Sequence, residues 1–477
     1  MSAPSANPPA QPSDAFVQEA ILPPGGPWSP PYRLLTLGLL ITIVSAAFES
    51  LAVATIMPAT ANDLGGLSLY GWVFSSFMLA NLVGITIAGG EADLRGPARP
   101  YVAGIVLFII GLLIGGLAPA MIVLILGRTI QGLGAGLVSS VIYVAVGRGY
   151  PPEAKPRMLA LMSSGWVIPG LIGPALAGII ADHIGWRWVF LGLIPICVGA
   201  LFMSIRSLRV MPPGNLTARD TRRIRDAMQL AIGAGLLLAG PGQSNRIFGL
   251  LLSVVGAILI WPALRRLLPA GTVRARAGLP AAIASMILLN FGFFGVDAYI
   301  PLALTDVRGR SASFAGLALT AATITWSAGS WVQARYVRRV GRRRLERIGL
   351  ALITIGSLGA ILMLSESVSV IAGPLAWGIA GLGMGIAYST LSLVVLETAN
   401  KGEEGAATSS MQLGIVLATA LATGLGGVLI DNFGSDGASV HRSILVQDIL
   451  MVGVLIMALV VAGRLPGKED SQLPIAG

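Results

Sequence analysis

The sequence predicts an all-α polytopic membrane protein: two six-helix parallel repeats with two extra central helices, fourteen spans in all. Three observations carry that prediction. Hydrophobic residues make up 55% of the 477 and charged residues only 11%, with a mean hydropathy of +0.80. A soluble domain carries roughly 25% charged residues, so a soluble protein of this length is excluded. Second, the chain divides into apolar runs near the ~20 residues that a spanning helix needs. Third, three separate regions recur at nearly one offset. Leu176 to Gly185 matches Leu425 to Gly434 at 249, Gly132-Leu-Gly134-Ala-Gly136 matches Gly381-Leu-Gly383-Met-Gly385 at 249, and Glu49 precedes Asp297 by 248.

The elements follow in chain order. Residues 1–32 are rich in Pro, Ser and Ala and read as a disordered cytoplasmic tail. No cleavable leader is expected, because the first hydrophobic run starts near Leu34 and is long enough to remain as a span. The first six runs are 34–58, 70–90, 101–118, 121–147, 158–181 and 188–205, within an N-terminal half over 33–210. A linker over 211–279 holds 227–241 and 247–264. The first of these is short and starts beside Asp226, so a twelve-span alternative makes 227–264 an interfacial hairpin. The C-terminal half, 280–464, holds 280–304, 313–333, 348–364, 368–396, 406–430 and 444–463, and 465–477 form a second cytoplasmic tail. Gly is 62 of 477 residues, which suits helices packed closely through small side chains.

Charge gives the orientation. With the N-terminus inside, 26 of the 32 Lys and Arg fall on the inner side, five on the outer side, and Arg128 alone lies within a span. Both termini are therefore expected in the cytoplasm, with the protein multi-pass in a cell (inner) membrane. The net charge of +10 reports topology and not a nucleic-acid partner. One Cys and two His leave no basis for a disulfide framework or a metal site, and no cofactor beyond a proton gradient is expected. Gly132-Leu-Gly-Ala-Gly lacks a preceding strand and a following Lys-Ser/Thr, so it is a packing stripe and not a nucleotide loop.

Few residues in the spans can carry chemistry. Glu49 and Asp297 are carboxyls within apolar runs, where charge is expensive without a polar cavity or a partner. Each is a candidate for binding a proton or a cationic substrate. Asn290 lies two turns before Asp297. Arg128 needs a counter-charge or carbonyls, and Gln131 lies one turn on. The fifth run, with Pro169, Gly170, Gly173, Pro174 and Gly178, combines missing backbone donors with small residues and suits a pivot or seal. Tyr143, Trp166, Tyr299, Trp326 and Tyr388 are candidate cavity aromatics, with Trp331 and Trp377 beside them.

These motifs resemble the major facilitator superfamily, and within it the fourteen-span drug:proton antiporters. Leu124, Arg128, Gln131, Gly132, Gly134 and Ala135 fit the family's fourth-span motif, which implies a role for Arg128 in proton coupling. Gly173, Pro174 and Gly178 fit its fifth-span antiporter motif, with Pro169 and Ala177 replacing glycines; that motif implies export. Gly89, Ala92, Asp93, Gly96 and Arg99 fit the loop motif between spans two and three, whereas Glu91, Leu94 and Pro97 depart from it. Gly341 and Arg342 belong to its counterpart in the second half. The resemblance implies a monomer that exports lipophilic small molecules, cations among them, in exchange for protons, with Glu49 in place of the family's usual first-span Asp. The competing readings are an exporter of an endogenous lipid, siderophore or metabolite, a proton-coupled importer, and a membrane-embedded enzyme. The absence of a His, Cys or paired-acid cluster counts against the last.

Overall fold

A chain in hydrocarbon must satisfy its backbone hydrogen bonds internally, which leaves apolar spans the helix. The computed structural model describes residues 25–214, 221–399, 404–434 and 436–465, and all regular structure among them is helical. The first bundle contains α1 (Arg33–Leu64), α2 (Tyr70–Arg95), α3 (Ala98–Gly116), α4 (Met121–Gly149), α5 (Lys155–Ser164), α6 (Val167–His183), α7 (Arg187–Leu191) and α8 (Leu193–Arg209). Two helices follow, α9 (Thr221–Ala239) and α10 (Arg246–Leu267). The second bundle contains α11 (Leu279–Asp297), α12 (Ile300–Leu302), α13 (Ala312–Val340), α14 (Arg342–Met363), α15 (Ala372–Thr398), α16 (Glu404–Phe433) and α17 (Gly437–Val461).

Among the described residues, twelve helical segments are long and apolar enough to cross a membrane. Helices α9 and α13 span 19 and 29 residues but are more polar. Helix α9 opens on Arg222, Arg223, Arg225 and Asp226, and α13 carries Thr320, Thr323, Ser327, Ser330 and Gln333. The fourteen-span expectation counts these two beside the twelve.

The fifth run is not one helix. It divides between α5 and α6 at Gly165–Trp166. Pro169 has no N–H to give the Gly165 carbonyl, but it is tolerated in the first turn of a new helix. Residues 25–32 form turns that join the bundle: Tyr32 is buried against Tyr150, and Thr36 Oγ1 donates to Pro27 O at 2.7 Å. Residues 1–24 and 466–477 of the expected tails lie outside the described residues.

The glycine triplets show why the two bundles look alike. Gly132 and Gly136 lie one turn apart on α4 and press on α2, where added Cβ atoms would sit 2.8 Å from Phe77 Cα and 2.9 Å from Gly84 Cα. Gly134, on another face, presses on α3 at Phe108. In the second bundle Gly381 and Gly385 press on α13 at Ala322 and Gly329, and Gly383 presses on α14 at Ile353. Each triplet thus holds one central helix between two neighbours at backbone contact, the geometry that small residues permit.

One end of the molecule carries the arginine-rich loops. There Gly96 and Gly341 adopt φ of +80° and +87°, a region that favours glycine, and turn the chain between neighbouring helices. Asp93 pairs with Arg148 inside the first bundle. Arg342 pairs with Glu397 inside the second, Nε to Oε2 at 2.6 Å.

The bundles meet along two seams that start at the opposite end. In the α2–α16 seam, Ser75 Oγ donates to Ala420 O at 2.7 Å and Gly71 abuts Gly427. In the α6–α13 seam, Asp182 Oδ2 accepts from Ser313 N at 3.1 Å and Ser313 Oγ at 2.5 Å, while Pro174 and Gly178 lie against Gly316 and Ser313. Helix α9 packs along α2 and α16, and α10 packs on α9.

Candidate functional site

Glu49 sits midway along α1 and Arg128 two turns into α4. Their side chains form an ion pair, with Glu49 2% and Arg128 3% exposed. Among the described residues it is the one ion pair with both partners so deeply buried. The guanidinium is held on every side. Arg128 Nη1 also donates to Gln131 Oε1 at 2.7 Å, Nε donates to Val73 O at 3.3 Å, and the group lies 4.1 Å from the Phe77 ring centroid. Its placement follows from the glycine stripe, which brings α2 close enough for Val73 and Phe77 to reach it. An Arg can serve these acceptors at once because its donors are fixed in a planar fork.

The second bundle holds a related arrangement in which both partners differ, Asp297 for Glu49 and Trp377 for Arg128. Asp297 ends α11, and its Oδ1 accepts from Trp377 Nε1 at 2.7 Å. Trp377 lies 249 residues after Arg128, so a neutral indole donor stands where the first bundle has a cation. Trp377 stacks on Phe293 at 4.9 Å, and Phe293 meets Trp326 edge-on at 5.7 Å. Trp326 is 5.7 Å from Tyr388 and 6.5 Å from Phe294. Asp297, Phe294, Trp326 and Tyr388 are part-exposed. The result is a carboxyl held by a buried indole, at one end of a chain of rings that runs from buried Trp377 and Phe293 to part-exposed Trp326 and Tyr388, without a fixed counter-cation among the described residues.

The other sequence candidates fall in different places. Asn290 is buried but donates to Met286 O in its own helix at 2.8 Å, not to Asp297. Tyr299 is a seam residue rather than a cavity aromatic. It is 1% exposed, donates to Thr423 O at 2.6 Å and packs against Tyr70, whose hydroxyl donates to Ala298 O at 3.1 Å. Tyr143 (62% exposed) and Trp166 (51% exposed) are the more open of the candidate aromatics, and Tyr143 lies near Tyr388 of the cluster. Gly173 faces Phe48, the neighbour of Glu49, so the α6 motif touches both a seam and the surroundings of the buried acid. Asp93, Gly96, Gly341 and Arg342 stay at the arginine-rich end.

Two similar helical bundles around buried polar groups define a membrane transporter. The family model of the major facilitator superfamily matches residues 38–423, and the chain belongs to that superfamily. It is similar to the multidrug transporter protein MdtP of Bacillus subtilis (strain 168), 27% identical over 389 residues, 80% of this chain and 72% of that protein. A probable multidrug-efflux transporter of Mycobacterium tuberculosis (strain ATCC 25618 / H37Rv) is 27% identical over 440 residues, 88% and 91% of the two chains. Among solved structures, a peptide transporter POT bound to alafosfalin shares the fold, with a TM-score of 0.68 at 16% identity over 94% of this chain and 97% of that one.

Proposed function

We propose that this protein exports lipophilic small molecules, cations among them, in exchange for protons, with the arginine-rich end in the cytoplasm of a cell membrane and the chain acting as a monomer. The buried Glu49–Arg128 pair is the observation that carries the reading. Leaving one partner of such a pair alone is costly, on the order of 3–5 kcal/mol. Proton arrival at Glu49 must therefore release Arg128 to Gln131 and Val73, and proton departure must recapture it. That is a local change large enough to be felt along α1 and α4. Relatives named as multidrug transporters support the cargo class.

Asp297 takes the complementary role in this reading. Its partner is a neutral donor and its surroundings are aromatic, so a ligand cation would find both a carboxylate and ring faces, a favourable pairing. The α2–α16 and α6–α13 seams close the end opposite the cytoplasm and would part as the halves rock about the central sites. Each elementary charge moving across 100 mV is worth ~2.3 kcal/mol, which helps drive export of a neutral molecule; one-for-one exchange of a proton for a monovalent cation moves no net charge and is driven by the pH gradient.

The test is uptake of a labelled lipophilic cation by inside-out vesicles under an imposed pH gradient. The proposal expects accumulation that collapses with the gradient, and Asp297→Asn removing cation transport while sparing a neutral substrate. Gradient-independent accumulation, or equal loss of both cargos, would contradict it.

A further inference from the structure

We propose that the turn between α10 and α11 is a binding site for the headgroup of an anionic phospholipid. The turn encloses a cavity of about 290 Å³ whose walls include Trp261, Leu264, Val273, Arg265, Arg274 and Arg276. It is a built structure. Gly271, at φ +95°, and Ala275, at φ +46°, bracket a single helical turn over Thr272–Arg274. Ala275 is the one non-glycine residue with positive φ among the described residues, a conformation that costs a residue with a Cβ. Gly271 O accepts from both Arg274 N at 3.1 Å and Arg276 N at 3.2 Å. The Arg276 stem crosses Gly271 so closely that a Cβ there would lie 2.8 Å from Arg276 Cδ. Arg464, beyond α17, donates to Arg274 O at 2.6 Å and Ala275 O at 3.1 Å, which ties the turn to the second bundle.

The electrostatics of this turn are unbalanced. Arg266 pairs with Asp226 at 3.3 Å, but Arg265, Arg274 and Arg276 have no carboxylate within ion-pair distance among the described residues. Arg265 lies over the Trp261 ring at 4.9 Å. Three guanidiniums around one cavity repel one another, and a phosphodiester between them would remove that repulsion and accept their forked donors. The rest of the wall selects the source of that phosphate. Trp261, in the last two turns of the membrane helix α10, and Val273, in the turn beyond it, are exposed apolar side chains; a ring there sits at the headgroup level and an acyl chain can run along α10. A free phosphate would leave those walls unused, whereas a phosphoglycerol headgroup with its chains uses the whole site. Basic pockets between membrane helices bind headgroups by this combination. The inference does not depend on proton antiport.

Native mass spectrometry of the purified full chain tests it, with phosphatidylglycerol, phosphatidylethanolamine and inorganic phosphate titrated separately. Phosphatidylglycerol is expected to bind more tightly than phosphatidylethanolamine. Arg274→Gln/Arg276→Gln is expected to weaken it roughly 30-fold, from two surface cations, and Arg274→Lys/Arg276→Lys to retain it. Removing the same charge elsewhere at this end, in Arg206→Gln/Arg209→Gln, is expected to change binding less than about twofold, since those exposed arginines lie outside the cavity. Equal weakening by both Gln pairs would show diffuse attraction, and displacement of the lipid by millimolar phosphate would show a free-anion site. Either result overturns the proposal, as does unaltered binding in the Arg274/Arg276 pair.

Discussion

Gly71→Ala is the sharpest structural perturbation of the two-seam arrangement. A Cβ at Gly71 would lie 2.7 Å from Thr423 O, 2.8 Å from Gly427 Cα and 2.9 Å from Gly427 N. All three are backbone atoms of α16, so no side chain can rotate away; the helix itself must move. Overpacking of this kind costs about 1–3 kcal/mol, and the cost applies only while α2 and α16 touch at this level. The ratio of parted to closed seam should then rise about 5–150-fold. Ser75 is buried in the same seam, so a Ser75→Cys reporter becomes reactive only when the seam parts. Native Cys197 is buried elsewhere. With an impermeant maleimide in the fast-opening limit, alkylation tracks the open population, and Gly71→Ala should accelerate it by the same 5–150-fold. An unchanged rate in a folded Gly71→Ala protein would refute the reasoning that this contact holds the seam closed.

Three further outcomes follow from the same geometry. Asp182→Ala removes both bonds to Ser313 at the N-terminus of α13; a lost helix-cap interaction of about 1 kcal/mol should speed the same alkylation several-fold, less than Gly71→Ala because the contact is solvent-exposed. Arg128→Lys should not restore coupled transport, since one ammonium cannot reproduce the contacts to Glu49, Gln131 and Val73; the check is pH-driven efflux beside a melting curve showing a folded protein. Trp377→Phe should keep the stack on Phe293 but lose the donor to Asp297, altering the affinity for a lipophilic cation while leaving a neutral substrate within about twofold, by ligand competition.

Much of the fold was legible because hydrocarbon leaves few choices. Apolar length specified the helices, and the recurring Gly-x-Gly-x-Gly gave the repeat that the packing of α4 and α15 then displayed. That Glu49 and Arg128 each need a partner was legible, since charge in an apolar span is expensive, but their pairing was not, because Asp297 offered a second acid. Trp377 was not singled out as the partner of Asp297, although the 249-residue offset places it where Arg128 stands; an aromatic in a span carries no obligation to pair, so its type alone gave no signal. Tyr299 and the break at Gly165 were missed for related reasons. A Tyr packs equally well in a seam or a cavity, and Pro169 reads as a kink or as a helix start until neighbouring turns are fixed. The cavity between α10 and α11 was hidden because its arginines look like any cytoplasmic anchor until Gly271 and Ala275 fold them around one space.

The central claim, that Glu49 exchanges a proton during export, is tested most directly by proton flux in proteoliposomes loaded with a lipophilic cation and an internal pH dye. Wild-type protein should move protons against substrate and show a flux that scales with substrate. Glu49→Gln should abolish that flux while retaining substrate-for-substrate exchange. Substrate-coupled proton flux at the wild-type rate from folded Glu49→Gln would contradict the account.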